Sequence, residues 1–137
     1  DWSPNALREA VKMFASQLNA KMAQRFFNLV LLPAVRQNLQ DHRKMNYHLY
    51  EALKKAMFKP GAFMKGVLLP LAQESCTLRE AHLVASVVAK ISVPVLHASA
   101  VLIKFCEMTP WFGTNSIFMA TLINKKYSLP YSVNLHF

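Results

Sequence analysis

The stretch that decides the fold is ALKKAMFKPGAFMKGVLLPL, residues 52–71. Lys54, Lys55, Lys59 and Lys65 alternate there with Met57, Phe58, Phe63 and Met64 around Pro60-Gly61. A solvated linker does not carry so many large apolar side chains, and a buried core element does not carry four ammonium groups. Helical periodicity separates the two sets. Asn46 can cap a helix that runs to about Phe58 and turns Leu49, Leu53, Ala56 and Met57 inward. His48, Glu51, Lys55 and Lys59 then fall on the opposite face, with Lys54 at its edge. Pro60 takes the first position of a following helix, GAFMKGVLLPLA, whose one charge is Lys65. A helix that is apolar nearly all round is buried on several sides. The same spacing makes Phe58 and Phe63 core residues before it makes them stacking platforms.

The pattern outside this stretch is also helical. Ser3-Pro4 is a helix start, and Leu7, Ala10, Val11, Phe14 and Leu18 make one apolar stripe behind it. A second helix runs from about Lys21 to Gln40, with Pro33 predicting a kink or an early end. QDHRKMN (40–46) is a solvated connector. Thr77-Leu78-Arg79-Glu80 matches a capping box and opens a helix over 78–92, apolar except for the stripe Arg79, His82, Ser86 and Lys90. Ser92-Val93-Pro94 restarts the chain as a helix to about Met108, and Pro110 to Thr114 turns it. Thr114 or Asn115 then caps a helix over 116–124, and Leu129-Pro130 opens another. One internal echo stands out: FFNLVLLP (26–33) and FMKGVLLP (63–70) share an offset of 37 residues, the length of a helix-pair repeat. β-Branched residues never alternate cleanly, and no Asn-Gly or Asp-Gly hairpin turn occurs. The expected fold is all-α, with stacked helix pairs in an α-solenoid-like arrangement, as a single helical domain across residues 1–137.

The 137 residues carry a formal net charge of +9, and 53% of them are hydrophobic. Residues 1–66 hold eleven cations and four acids; the remainder holds five and three. A field so concentrated points to an acidic partner: nucleic acid, an anionic membrane or an acidic protein. The longest uncharged runs, ISVPVLHASAVLI (91–103) and MTPWFGTNSIFMATLIN (108–124), are too short or too interrupted to span a bilayer. Cys76 and Cys106 lie in apolar settings and read as two reduced, buried thiols, with a disulfide as the alternative.

Little in the sequence suggests catalysis. His42, His48, His82, His97 and His136 show no metal-ligand spacing, and neither cysteine has a second ligand nearby. No phosphate-cradling glycine loop and no G-x-S-x-G elbow is present, and the seven acids are scattered. The expectation is a protein that is not an enzyme and needs no metal or other cofactor. What remains is the basic helical surface. Arg43, Lys44, Lys54, Lys55 and Lys59 are candidates for phosphate contacts. Arg79, His82 and Lys90 are candidates for pairing with the carboxylates of a protein partner. Two function classes follow: an RNA-binding scaffold, or a helical-repeat adaptor that binds an acidic or helical peptide segment. A membrane-surface helix is the weaker third, because no helix here sets a Lys-rich face against exposed Trp, Phe and Leu.

The run HLYEALKKAMFKPGAFMKGVLLPL (48–71), followed by CTLREA (76–81), KISVPVLHASA (90–100) and NKKYSLPY (124–131), closely resembles the bystin family. That resemblance covers the chain from about Trp2 to Tyr131 and makes it look like the first part of a longer helical domain. It implies an all-α, non-enzymatic factor of small ribosomal subunit assembly that binds precursor small-subunit rRNA. The implied company is ribosomal proteins and other small-subunit assembly factors, with no membrane and no small-molecule substrate. The implied location is nucleolus and nucleus, extending to the cytoplasm on late precursors. The matching motifs carry over Lys54, Lys55, Lys59, Pro60, Arg79, Glu80, Pro94, His97, Tyr127, Leu129, Pro130 and Tyr131, and they add Lys65, Lys125 and Lys126 to the RNA-contacting candidates. Two segments depart from the family's pattern, EMTPWFGTNS (107–116) and a short SVNLHF after Tyr131.

Overall fold

A computed structural model describes residues 2–17 and 19–125. The described residues form seven helices and no strand, which makes the fold all-α. Helix α1 is Pro4–Ser16, with Ser3 accepting from the Ala6 N–H at 3.1 Å and Pro4 at the first position. Helix α2 runs from 20 to 41 in three parts: Ala20–Phe26, a π-helical turn Phe27–Leu31, and Leu32–Asp41. Helix α3 is Tyr47–Ala56, capped by Asn46, whose side chain accepts from the His48 N–H. Helix α4 repeats the pattern of α2: Pro60–Phe63, a π-helical turn Met64–Leu68, and Leu69–Gln73. Helices α5 (Leu78–Lys90), α6 (Val95–Cys106) and α7 (Asn115–Ile123) follow. The capping box forms in full: the Glu80 N–H donates to Thr77 Oγ1 at 3.1 Å, and the Thr77 N–H donates to Glu80 Oε1 at 2.8 Å.

Neither proline inside α2 and α4 ends its helix. A proline has no N–H to give the carbonyl four residues back, and its ring clashes with that carbonyl. In both helices the residue just before the proline reaches back five positions instead of four: the Leu32 N–H donates to the Phe27 carbonyl and the Leu69 N–H to that of Met64. The locally wider π-turn makes room for Pro33 and Pro70 without breaking the helix. The two π-turns sit at positions related by the 37-residue offset of the echo. FFNLVLLP and FMKGVLLP therefore share a backbone device as well as a string of letters.

The chain divides into two compact units, Asp1–Pro70 and Leu71–Phe137. In the first unit α1 lies along α3, and α2 lies along α4. Helix pair α1–α2 thus stacks on helix pair α3–α4, first helix on first and second on second. The α1–α3 contact is built by Leu7, Ala10, Val11 and Ala15 facing Leu49, Ala52, Leu53 and Ala56, all buried. A side-chain hydrogen bond of 3.1 Å between Arg8 Nη1 and His48 Nδ1 sits at its edge. Phe27 and Phe63, both fully buried, anchor the α2–α4 side. There the backbones come very close: a Cβ added to Gly66 would stand 2.7 Å from the Gln24 carbonyl oxygen and 3.3 Å from Phe27 Cβ. The Gly66 carbonyl, which in a regular helix would receive the N–H of residue 70, accepts instead from Asn28 Nδ2 at 3.0 Å.

In the second unit α7 packs on both α5 and α6. Val84, Val87 and Val88 of α5, Leu102 and Phe105 of α6, and Phe118 and Leu122 of α7 are buried there, with the Phe105 and Phe118 rings stacked at 6.2 Å. Asn115 is fully buried at the start of α7, and its Nδ2 meets Met108 Sδ at 3.5 Å. The cysteines are free, as the sequence suggests, but the burial expected of them fails: Cys106 is exposed and Cys76 half-buried. Cys106 closes the last turn of α6, whose inward positions belong to Leu102 and Phe105.

The close approach at Gly66 gives a sharp expectation. Gly66→Ala must push a methyl against backbone that a side-chain rotation cannot clear, and should destabilise the fold by about 1–3 kcal/mol. Gly113→Ala meets nothing within 4 Å. That substitution should be neutral or stabilise by up to about 1 kcal/mol through the unfolded chain. Denaturant titration of the two variants beside the parent checks the contrast.

Candidate nucleic-acid interface

The cations expected to face an acidic partner meet different fates. Arg43 and Lys44 are exposed in the connector between α2 and α3. Lys54 is half-buried and tied to its own helix: its ammonium lies 3.0 Å from Glu51 Oε2 and 5.8 Å from the Tyr50 ring centroid. The hydrogen bond with Glu51 raises the Lys54 pKa above the ordinary lysine value. Lys54 therefore arrives with its counter-charge in place. Lys55 lies with its ammonium 5.4 Å from the Phe58 ring centroid. Phe58 itself is 65% exposed, against the expectation of a core residue. Helix α3 ends at Ala56, so Phe58 falls in the turn before Pro60 and leaves the inward stripe, whereas Phe63 is fully buried as expected. Lys59 is half-buried at the residue preceding α4, and Lys65 is exposed in the π-turn of α4.

Lys125 behaves otherwise. Its ammonium donates to the carbonyls of Val88 (2.8 Å), Ala89 (3.3 Å) and Ile91 (2.8 Å) at the C-terminal end of α5. An ammonium has three donors, and all three point at carbonyls that the end of a helix leaves without N–H partners. Lys125 is a helix cap supplied from beyond α7, and it also answers the negative end of the α5 dipole. Burial lowers its pKa from the ordinary lysine value. Lys126, the neighbouring candidate, lies outside the described residues, as do Tyr127, Leu129, Pro130, Tyr131 and His136. On α5, Arg79, His82 and Lys90 are all exposed and share one face, while Ser86 between them is half-buried and donates to the Leu83 carbonyl.

The described acids of the first unit are locally engaged. Glu9 lies 3.6 Å from Arg8, Glu51 pairs with Lys54, and Asp41 accepts from Gln37 Nε2 at 3.1 Å. No acid occurs between Glu9 and Asp41, or between Glu51 and Glu74. Those two intervals contain nearly all of α2 and α4. Lys21 and Arg25, both exposed on α2, belong to this acid-free layer and were not among the candidates drawn from sequence. The signal that points to them is the missing acids over residues 10–40, which local charge clustering does not register. Among the described residues no group of His, Cys, Asp and Glu could hold a metal ion, and no helix is long and apolar enough to cross a membrane.

The family model for bystin matches residues 1–135. The chain belongs to the bystin family. It is 58% identical over 134 residues to bystin of Nematostella vectensis, covering 97% of this chain and 31% of that protein. Against Drosophila melanogaster bystin the identity is 54%, covering 97% and 30%, and against Homo sapiens bystin it is 53%, covering 96% and 30%. The chain thus spans about a third of the length of the curated relatives it matches. The bystin-like motifs now have physical places. HLYEALKKAMFKPGAFMKGVLLPL builds α3, the turn at Pro60 and the close approach of α4 to α2. CTLREA contains the capping box of α5, and KISVPVLHASA carries the chain from the end of α5 into α6. NKKYSLPY begins with the residues that bring Lys125 to the α5 cap.

Lys125→Met keeps the aliphatic stem and removes the donors, so it should destabilise the protein by about 1–2 kcal/mol. The pH dependence has a definite sign. A lysine whose pKa is lower folded than unfolded binds fewer protons in the native state between those two values. Its contribution to stability therefore rises as pH climbs through that window. The gap between the parent and Lys125→Met should widen with pH there, as read from denaturation midpoints at neutral and alkaline pH.

Proposed function

We propose that this bystin-family protein is a non-enzymatic assembly factor of the small ribosomal subunit. It binds precursor small-subunit rRNA on the basic surface of its first unit and acts as a scaffold for ribosomal proteins and other assembly factors. The observation that carries the reading is a surplus of positive charge beyond what the local acids neutralise. Glu9 pairs with Arg8 and Glu51 with Lys54, while Lys44 and Lys65 stand exposed and Lys55 and Lys59 half-buried on the same unit. Such a surface attracts a phosphate backbone without reading bases. Family membership supports a precursor of the small subunit as the particle in which that RNA is met. The protein would work in the nucleolus and nucleus and travel into the cytoplasm on late small-subunit precursors.

Arg43, Lys44, Lys55, Lys59 and Lys65 form the proposed contact set. Lys54 contributes less, because Glu51 already neutralises it. Lys125 is left out, because its ammonium closes a helix end. A second reading has its own observation: Arg79, His82 and Lys90 lie exposed along one face of α5 and suit the carboxylates of an acidic or helical peptide. The two readings use different surfaces and can operate together.

Sedimentation of the tagged whole protein from cell extract, with each fraction probed for precursor small-subunit rRNA, tests the reading. The expected outcome is co-migration that survives moderate salt and is lost after ribonuclease treatment. A light, ribonuclease-insensitive species would overturn it and put the peptide adaptor first.

A further inference from the structure

We infer that the main phosphate-binding surface is the solvent side of the α2–α4 crossing, rimmed by Lys21 and Arg25 on α2 and by Lys65 on α4. This rests on the RNA-binding reading above and moves its centre away from the lysines of α3. The crossing itself places the cations. Gln24 and Gly66 mark the closest backbone approach. Arg25 follows Gln24, Lys21 lies one turn before it, and Lys65 precedes Gly66. On α2 the core side of Gln24 is marked by the fully buried Ala23 and Phe27; at about 100° per residue, Lys21 and Arg25 fall on the other side. On α4 the core side of Gly66 is marked by the fully buried Phe63 and Val67, and Lys65 falls opposite them. The core lies on one side of both helices, so the three exposed cations share the remaining side. The glycine at 66 lets the two helices approach closely, which brings cations on separate helices to the two sides of one crossing.

A polar donor lies at the crossing beside the cations: the half-buried Asn28 amide, next to Gly66, with the half-buried Leu69 one turn after Lys65. Asn28 Nδ2 uses one hydrogen on the Gly66 carbonyl and has a second to donate. An amide N–H among three cations is a donor set for phosphate oxygens. No acid occurs in 10–40 or 52–73, so nothing within these stretches opposes a polyanion. The face of α3 differs, since Glu51 holds Lys54 there at 3.0 Å. A polyanion meets less prior neutralisation over α2 and α4 than over α3.

The test compares two triple variants of the whole protein, Lys21→Glu/Arg25→Glu/Lys65→Glu and Lys54→Glu/Lys55→Glu/Lys59→Glu. Binding to a fluorescent fragment of precursor small-subunit rRNA is followed by anisotropy between about 50 and about 200 mM salt, where phosphate contacts reveal themselves as a slope in log affinity against log salt. Each lost phosphate contact lowers that slope by about 0.7–0.9. The α2–α4 variant should therefore lose about 2 from the slope and at least about tenfold in affinity, with a smaller change in the α3 variant. Glutamine replacements at the same α2–α4 positions should give the same slope change without added repulsion, and circular dichroism verifies the fold of every variant. A parent that binds RNA beside an α2–α4 variant with an unchanged slope overturns the inference and leaves the RNA reading standing. A parent that fails to bind RNA but binds polyglutamate overturns both and favours an acidic protein partner.

Discussion

Two helices, each with an internal proline, approach each other at a single glycine, and the stacking of the first unit depends on that contact. Pro70 leaves the Gly66 carbonyl without its regular donor, and Asn28 of α2 supplies a replacement at 3.0 Å. The space that a methyl at 66 would need is already held by the Gln24 carbonyl, 2.7 Å from where a Cβ would stand. These features are coupled. The proline frees a carbonyl, the absent side chain lets α2 come near it, and the amide of α2 satisfies it. A buried or half-buried carbonyl left without a donor costs on the order of 1–3 kcal/mol, so the pairing is a condition for tolerating the proline as well as a gain in stability. The π-turns Phe27–Leu31 and Met64–Leu68 are the backbone side of the same arrangement.

The same geometry sorts the charges. A net charge of +9 says that the chain attracts anions, but leaves open which cations are available to them. Lys54 is held by Glu51 on its own helix, and Lys55 lies beside the Phe58 ring. Lys125 is enclosed by three carbonyls at the end of α5 and holds a helix closed. Lys21, Arg25 and Lys65 stand on helices that lack acids across the crossing. Three lysines that look alike in a charge count thus serve as an intrahelical pair, a helix cap and a solvent-facing cation. The distinction comes from what surrounds each ammonium: a carboxylate one turn away for Lys54, and carbonyls 34 to 37 positions away for Lys125.

Features governed by local chemistry were legible before the fold. Ser3, Asn46 and the Thr77–Glu80 box cap their helices because the donor and acceptor lie within three residues of each other. The all-α class follows from apolar periodicity in the same way. The helix does not end early at Pro33, because local rules register the missing N–H and do not register a π-turn that absorbs it. Phe58 was misplaced because α3 stops at Ala56, two residues before the apolar stripe would have included it. Cys106 reads as buried from its neighbours, but it takes the outward position of the last turn of α6.

By itself, then, the sequence determined the helical class, the helix starts, the stacking pattern hinted at by an echo of 37 residues, and the family to which the chain belongs. Only the tertiary structure decided that Gly66 meets Gln24, that Asn28 serves a carbonyl 38 positions away, and that Lys125 closes a helix 34 to 37 positions before it. The physical reason is range. Caps and amphipathic stripes are settled within one or two turns of a helix, where residue order dictates who can meet. Carbonyl rescue, backbone approach and the availability of a cation depend on which surfaces are brought together, and this follows from the packing of whole helices.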